Sequence, residues 1–250
     1  MHDAWLTVLG AVEAPALRLV CLPHAGGSAA YFTWLRAALP ADAELVCVQY
    51  PGRQERRHEP AVERADLMVE EIAAALEKRP DVPTVVFGHS LGSLLAFELV
   101  RKLEERGRPP LALVASGRRA PSVRPPAGEP QWNTERIIEE MRVLGGIDPA
   151  LLDDPDIQEL FLPALRADYR LAQSYRPEPG ARVRCPLEVL TGRRDPRVTR
   201  EDAAAWRDHT AGPFALHVLE GGHFFFDTDR ATVLEVMRSV LDVRRPRAVR

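Results

Sequence analysis

The sequence predicts an α/β fold built on a mostly parallel, doubly wound sheet, and three observations indicate it. Short apolar runs alternate with stretches of helical periodicity along most of the 250 residues. Several of these runs are continuously apolar, which is typical of central strands buried on both faces; they include "LVCL", "TVVF" and "LALVAS". Strands that alternate with helices imply right-handed crossovers, and these produce a parallel sheet covered by helices on both sides.

Each element follows from its own pattern of residues. Six apolar runs are predicted to be strands, at 17–22, 44–49, 84–87, 111–115, 187–190 and 214–219. Five stretches between or after them have a helical period, at 29–39, 64–78, 91–106, 199–209 and 228–241. A chain of this length can bury one substantial core, so we expect a single domain over residues 1–250.

One stretch, at about 117–180, breaks the alternation. A proline-rich segment, "RRAPSVRPPAGEP", precedes helical patterns at about 134–144 and 157–174. We interpret the stretch as a helical insertion that follows the carboxyl end of a strand, where ligands bind in open α/β sheets. The sequence is equally compatible with a mobile lid and with a rigid cap.

Composition and charge exclude several classes of function. The formal net charge of −3 provides no basic face for nucleic acid. Apolar runs stay well short of the roughly 20 residues that cross a bilayer, and "MHDAWLTVLG" lacks the pattern of a secretory leader, so we expect a cytoplasmic protein without membrane contact. Cys21, Cys47 and Cys185 have no metal-binding spacing and are expected to be buried packing residues, without a disulfide or a metal site.

The segment "VFGHSLGSLL", residues 86–95, places Ser90 between Gly88 and Gly92 where a strand passes into a helix. The pattern G-x-S-x-G is typical of a nucleophile elbow, a sharp turn that exposes the serine hydroxyl above a sheet. The alternative is an ordinary helix start with Ser90 as the N-cap.

A serine nucleophile requires a base and an orienting acid, which follow it in the chain order Ser, Asp or Glu, His in hydrolases of this type. His223, in "EGGHFFF" after the last predicted strand, is the candidate base, and Asp195, in "LTGRRDP" after the preceding strand, is the candidate acid. The alternatives are a plain loop histidine and a turn aspartate. His89 is expected to support the elbow. Asp227 and Asp229 are better explained as the first residues of the last helix.

Acyl transfer also needs hydrogen-bond donors for an oxyanion. The backbone N–H of Leu91, directly after the nucleophile, is one candidate. The N–H of Ala25 is the other, because Gly26 and Gly27 in "LPHAGGSAAYF" permit an unusual backbone path. Taken alone, this loop could bind phosphate, but it lacks the lysine and spacing of a P-loop.

The ordered set of motifs resembles the type II thioesterases that accompany modular polyketide and nonribosomal peptide synthases. The motifs are "LPHAGGSAAYF", "VQYPGRQERRHEP", "FGHSLGSLLAFEL", "LTGRRDP" and "EGGHFFF". The resemblance implies an α/β-hydrolase fold, with Ser90 as nucleophile, His223 as base and acid, and Asp195 as its partner. It implies an editing enzyme that releases acyl groups from the phosphopantetheine arm of acyl or peptidyl carrier proteins. We expect no cofactor beyond that arm, and a monomer.

Other functions remain open at this point. The same three residues could serve a carboxylesterase or an acyl-CoA thioesterase, and a noncatalytic scaffold is a third possibility. Type I terminal thioesterases share the chemistry but are usually fused to a synthase, so a chain that begins at Met1 favours the editing type. In "PGRQERRHEP", we expect Arg56 and Arg57 to be solvated rather than to bind a carrier protein.

Overall fold

The computed structural model of the chain describes residues 3–124 and 132–244. Its sheet has seven strands in the order β1-β3-β2-β4-β5-β6-β7. Only β1 is antiparallel to its neighbour, and the other pairs are parallel. The strands are β1 Leu6–Gly10, β2 Leu17–Leu22, β3 Ala43–Val48, β4 Thr84–His89, β5 Ala112–Ser116, β6 Leu187–Gly192 and β7 Phe214–Leu219.

Helices connect most of these strands. The α-helices are α1 Ala65–Glu77, α2 Leu91–Glu105, α3 Thr134–Leu144, α4 Pro149–Leu152, α5 Pro155–Ser174, α6 Arg200–Ala204, α7 Phe225–Thr228 and α8 Arg230–Arg244. Short 3₁₀ helices cover Ala29–Ala38, Gln54–Arg56 and Ala205–His209.

The predicted mostly parallel α/β fold is confirmed, and all six predicted runs form strands within two residues of the expected bounds. The exception is β1, which the sequence did not indicate. Only Leu6 of this edge strand is buried, and its pairing with β3 shifts between Val8 and Gly10, so it has neither a continuous apolar run nor a clean alternation. The helical period at 29–39 corresponds to a 3₁₀ helix, and the one at 199–209 divides into α6 and a 3₁₀ turn.

Two apolar cores cover the two faces of the sheet. Successive residues of β2 alternate between them, with Val20 in one core and Cys21 in the other. Helices α1 and α2 pack on the first face, while α8 and the 3₁₀ helix Ala29–Ala38 pack on the second. This arrangement leaves the carboxyl ends of the parallel strands as the edge where loops can form a site.

Three helices lie in the stretch predicted as an insertion. The predicted segments 134–144 and 157–174 correspond to α3 and α5, whereas residues 125–131, which include the end of the proline-rich segment, lie outside the described part of the chain. Buried residues of α3, α4 and α5 form a small apolar cluster separate from the two main cores. Within the described ranges, no helix is both long enough and apolar enough to cross a membrane.

Candidate active site

Ser90 lies at the turn between β4 and α2 in a strained backbone conformation, with φ 54° and ψ −114°. Ser90 occupies the N-cap position of α2, but its side chain makes no capping hydrogen bond to the helix and its backbone angles are not the extended ones usual for an N-cap residue. The flanking glycines are required by close backbone approach. A Cβ at Gly88 would lie 2.1 Å from the carbonyl oxygen of Gly92, and one at Gly92 would lie 2.0 Å from that of Leu22.

Buried polar groups hold this turn in place. The Ser90 N–H donates to the Ser116 carbonyl at 2.8 Å. The Ser93 hydroxyl, which is buried beneath the turn, lies 2.7 Å from the carbonyl oxygens of both Gly88 and Ser116. His89 is fully buried, and its Nδ1 lies 2.9 Å from the Ser116 hydroxyl. Ser90 is therefore strained by a rigid surrounding structure, as is typical of functional sites, and His89 supports the turn from within.

His223 and Asp195 are joined by a hydrogen bond. Asp195 follows β6 and His223 follows β7, and these strands are parallel neighbours, so both residues lie at the carboxyl edge of the sheet. His223 Nδ1 is 2.8 Å from Asp195 Oδ2. The side chains are 5 % and 0 % exposed, and the Arg197 N–H donates to the other carboxylate oxygen at 2.8 Å. The imidazole is thus oriented by a buried carboxylate that is itself held by the backbone.

The imidazole of His223 lies beside the elbow, since its ring centroid is 5.1 Å from that of His89, the residue before Ser90. Among the hydrogen bonds of the described residues, none joins the Ser90 hydroxyl to His223. Such contacts are often long in the absence of substrate and shorten in the reacting complex. The structure therefore brings the three predicted residues to one edge of the sheet and bonds two of them directly.

The loop after β2, residues 23–28, is called here the glycine loop, and it adjoins the elbow. The Cβ position of Gly92 is 2.7 Å from the carbonyl oxygen of Pro23, which places the first turn of α2 against the start of this loop. Leu91 is the first residue of α2, so its N–H has no acceptor within the helix. Ala25 is two residues beyond Pro23, so its N–H lies on the part of the loop that follows this contact. Both predicted donors belong to backbone segments that meet at the elbow.

Two further histidines near the elbow remain uncharged. Burial, followed by the charge of His223, lowers the pKa of His24 to about 3 and lowers the pKa of His89 well below its usual value. The His24 ring packs edge-on against Tyr31 and Phe224, with centroid distances of 4.4 Å and 5.0 Å. No pattern in the sequence singles out His24. Both imidazoles are therefore neutral at pH 7.

One prediction about this region is wrong. Arg56 is 7 % exposed rather than solvated: its guanidinium donates to the Gln49 carbonyl at 2.8 Å and lies 4.4 Å from the Trp5 ring centroid. An arginine can be buried in this way because its stem is apolar and its planar head stacks on aromatic rings. Arg57 is exposed, as expected.

The three cysteines are buried, as predicted. Among the described residues, no group of three or more His, Cys, Asp or Glu side chains is arranged to hold a metal ion. The carboxyl edge of the sheet carries a hydroxyl, an imidazole and a carboxylate, those of Ser90, His223 and Asp195.

The sequence matches the thioesterase domain family over residues 17–241, nearly its whole length. The chain belongs to the thioesterase family. It is a serine-type thioester hydrolase with an α/β-hydrolase fold, and the recognised similarity to type II thioesterases is confirmed. The solved structure of the type II thioesterase BorB from the borrelidin biosynthetic cluster superimposes with a TM-score of 0.87 at 40% identity, covering 96% of this chain and 99% of BorB.

Two curated relatives from Streptomyces are similar over most of this thioesterase. A probable cadicidin biosynthesis thioesterase of Streptomyces griseus is 46% identical over 221 residues, which are 88% of this chain and 61% of the relative. The thioesterase PikA5 of Streptomyces venezuelae is 44% identical over 225 residues, which are 89% of this chain and 80% of PikA5. The matched region thus spans about six tenths of the first relative and four fifths of the second.

Proposed function

We propose that this thioesterase is an editing enzyme that hydrolyses stalled or incorrect acyl groups from the phosphopantetheine arm of carrier proteins in polyketide or nonribosomal peptide assembly. The observation that carries the proposal is the buried hydrogen bond between His223 and Asp195 beside the strained Ser90. The names of two similar proteins support a role in such biosynthesis, because one refers to cadicidin biosynthesis and the other to the borrelidin biosynthetic cluster.

The reaction begins with attack by the Ser90 hydroxyl on the thioester carbonyl. His223 Nε2 takes the hydroxyl proton while Asp195 stabilises the imidazolium through Nδ1. The carbonyl π electrons move onto oxygen, and the resulting oxyanion accepts hydrogen bonds from the N–H groups of Leu91 and Ala25. The C–S bond then breaks, the sulfur takes the proton from His223, and an acyl-enzyme on Ser90 remains.

Deacylation repeats these steps with water. His223 removes a proton from a water molecule, which attacks the ester carbonyl of the acyl-enzyme. Collapse of the second tetrahedral intermediate returns the proton to Ser90 and releases the free acid. Because a thiol has a pKa of about 8.5, it leaves more readily than an alcohol, and its departure in the acylation step depends little on proton donation by the general acid.

The neutral state of His24 and His89 suits this chemistry. In the reaction, a positive charge forms on His223 and a negative charge forms near Ala25. The ring centroid of His89 is only 5.1 Å from that of His223, so a second charged imidazole would oppose the imidazolium at close range. The low pKa values of His24 and His89 remove this repulsion at the pH of the cytoplasm.

A comparison of three substrates tests the proposed function. One preparation is assayed with an acyl carrier protein, the matching acyl-CoA and a p-nitrophenyl ester of the same acyl chain. We expect the highest kcat/KM for the acyl carrier protein and loss of all three activities in Ser90→Ala. A kcat/KM for acyl-CoA equal to that for the carrier protein would indicate a general acyl-CoA thioesterase, and a preference for the oxygen ester would indicate a carboxylesterase.

A further inference from the structure

The segment after β3, residues 49–57, has no place in the mechanism above. It is called here the arginine loop, and it contacts the first residue of the glycine loop and the residue that directly follows that loop. The Gln49 side-chain oxygen accepts a hydrogen bond from the Ala29 N–H at 2.9 Å. The buried Tyr50 hydroxyl donates to the Pro23 carbonyl at 3.1 Å. The arginine loop therefore supports both ends of the glycine loop.

A third connection passes through helix α5. Arg53 forms a two-point ion pair with Asp168 of α5, with N–O distances of 2.8 Å and 2.9 Å. The two side chains are 8 % and 0 % exposed. The Gly26 N–H donates to the same carboxylate at 2.8 Å. Asp168 thus links the arginine loop, α5 and the glycine loop through one buried group.

The surface of α5 fits closely against both loops. A Cβ at Gly26, which has a φ of +73°, would lie 3.0 Å from a methyl carbon of Leu165. A Cβ at Gly52, with a φ of +84°, would lie 3.6 Å from that of Ala164. Leu165 and Asp168 are three residues apart and therefore lie on one face of the helix. This face of α5 is packed against the loops rather than held away from them.

These contacts converge on the peptide that carries the Ala25 N–H. The carbonyl of the preceding peptide is that of Pro23, which Tyr50 holds. The N–H of the following peptide is that of Gly26, which Asp168 holds. The peptide that carries the Ala25 N–H has the His24 carbonyl at its other end, and this carbonyl accepts a hydrogen bond from the Gly27 N–H at 3.0 Å. The Ala25 N–H is therefore fixed from both sides.

We infer that Asp168 and Arg53, together with Tyr50, are positioning residues that aim the Ala25 N–H at the oxyanion of the transition state. The inference rests on the proposed oxyanion role of Ala25. A hydrogen-bond donor is effective in this role only when its direction is set before the reaction, so that no reorganisation is needed at the transition state. Arg53 holds the Asp168 carboxylate in one orientation through two hydrogen bonds, and the carboxylate then orients the Gly26 N–H and the peptide before it.

The variant Asp168→Asn tests this inference with little change of volume. One oxygen of the amide cannot replace both acceptors, and its NH₂ group opposes either Arg53 or the Gly26 N–H. We expect kcat for thioester hydrolysis to fall by about 10- to 100-fold, less than the full loss of an oxyanion donor, while KM changes by less than about threefold. The inhibition constant of an alkyl boronic acid, which forms a tetrahedral adduct with a catalytic serine, should rise by the same factor as kcat falls.

Arg170→Gln is the matched control. Arg170 lies two residues further along α5 and pairs with Glu63 in the segment that follows the arginine loop, but both side chains are solvent-exposed. Its loss removes an attachment of α5 without touching the glycine loop, so kcat and boronate affinity should stay at the wild-type values. Equal losses in Arg170→Gln and Asp168→Asn would overturn the inference, because they would indicate general loosening of α5.

A second variant keeps the inference testable if Asp168→Asn does not fold. Tyr50→Phe removes only the hydrogen bond to Pro23 and should lower kcat and boronate affinity together, by about three- to tenfold. Wild-type kcat and boronate affinity in a folded Asp168→Asn, or in Tyr50→Phe when Asp168→Asn does not fold, would contradict the inference alone. Absence of thioester hydrolysis by the wild-type enzyme would instead contradict the proposed function.

Discussion

Replacing Asp195 by asparagine should invert the hydrogen bond that orients His223. The Asp195 oxygens accept separately from the Arg197 N–H and from His223 Nδ1, each at 2.8 Å. An asparagine that keeps its oxygen on the Arg197 N–H presents its NH₂ group to Nδ1. Nδ1 must then be the unprotonated nitrogen, so the proton lies on Nε2, the nitrogen that has to receive the Ser90 proton.

The size of the effect follows from this tautomer change. The same substitution in a protease with a Ser-His-Asp triad lowers kcat about 10⁴-fold, which corresponds to about 5 kcal/mol of transition-state stabilisation. We expect a similar loss here, because the Asp195 side chain is fully buried and no water competes for the imidazole. The melting temperature should change little, since the side chain keeps its shape and its hydrogen bond to Arg197.

Steady-state hydrolysis of an acyl thioester measures this effect, with circular dichroism to confirm folding. Asp227→Asn is the control: it removes the charge of an exposed carboxylate whose partner, Arg230, is also exposed, and kcat should stay within about twofold of wild type. A folded Asp195→Asn enzyme with a kcat within tenfold of wild type would contradict the role of Asp195, because His223 would then be oriented by another group.

Three further outcomes are expected. Because the folded pKa of His24 is about 3 and the unfolded value is about 6.5, the unfolded chain binds the extra proton below pH 6.5, so His24 alone should lower stability by up to about 2 kcal/mol between pH 7 and pH 5, and His89, whose pKa is also lowered, adds to this fall. Urea unfolding should show a smaller fall for His24→Gln, and an equal fall would contradict this origin. Gly92→Ala should lower the free energy of unfolding by more than about 4 kcal/mol or prevent folding, because its Cβ would lie 2.0 Å from the Leu22 carbonyl oxygen. A soluble variant with the wild-type melting temperature would contradict that packing. Arg56→Glu should destabilise the fold by about 3–5 kcal/mol and Arg57→Glu by less than about 0.5 kcal/mol in the same unfolding assay, and equal effects would contradict the burial of Arg56.

The sequence was sufficient for features that depend on local patterns. The central strands are continuous apolar runs, so their number and their parallel arrangement follow from the alternation with helices. The residues proposed for catalysis lie on loops at the ends of these strands, and the chain order places Ser90, Asp195 and His223 after β4, β6 and β7 in turn. The edge strand β1 could not be predicted in this way, because a half-buried strand of five residues has no distinctive period.

Contacts between distant segments were not predictable. Arg53 and Asp168 are separated by 115 positions, and nothing near either residue indicates its partner. The expectation of a solvated Arg56 came from a general tendency of charge runs, and the local burial beside Trp5 overrides it. The low pKa of His24 likewise arises from burial by residues of several elements, which a linear pattern does not encode.

Labelling with a fluorophosphonate tests most directly the claim that His223 and Asp195 activate Ser90. The reagent modifies activated serines, and peptide mapping locates the product. We expect a single modification at Ser90, with a rate that falls at least about 10³-fold in His223→Gln and stays at the wild-type value in His217→Gln, whose imidazole pairs with Glu188 at 2.9 Å on the same strand pair. Labelling of another serine, or of Ser90 at an undiminished rate in folded His223→Gln, would contradict that claim.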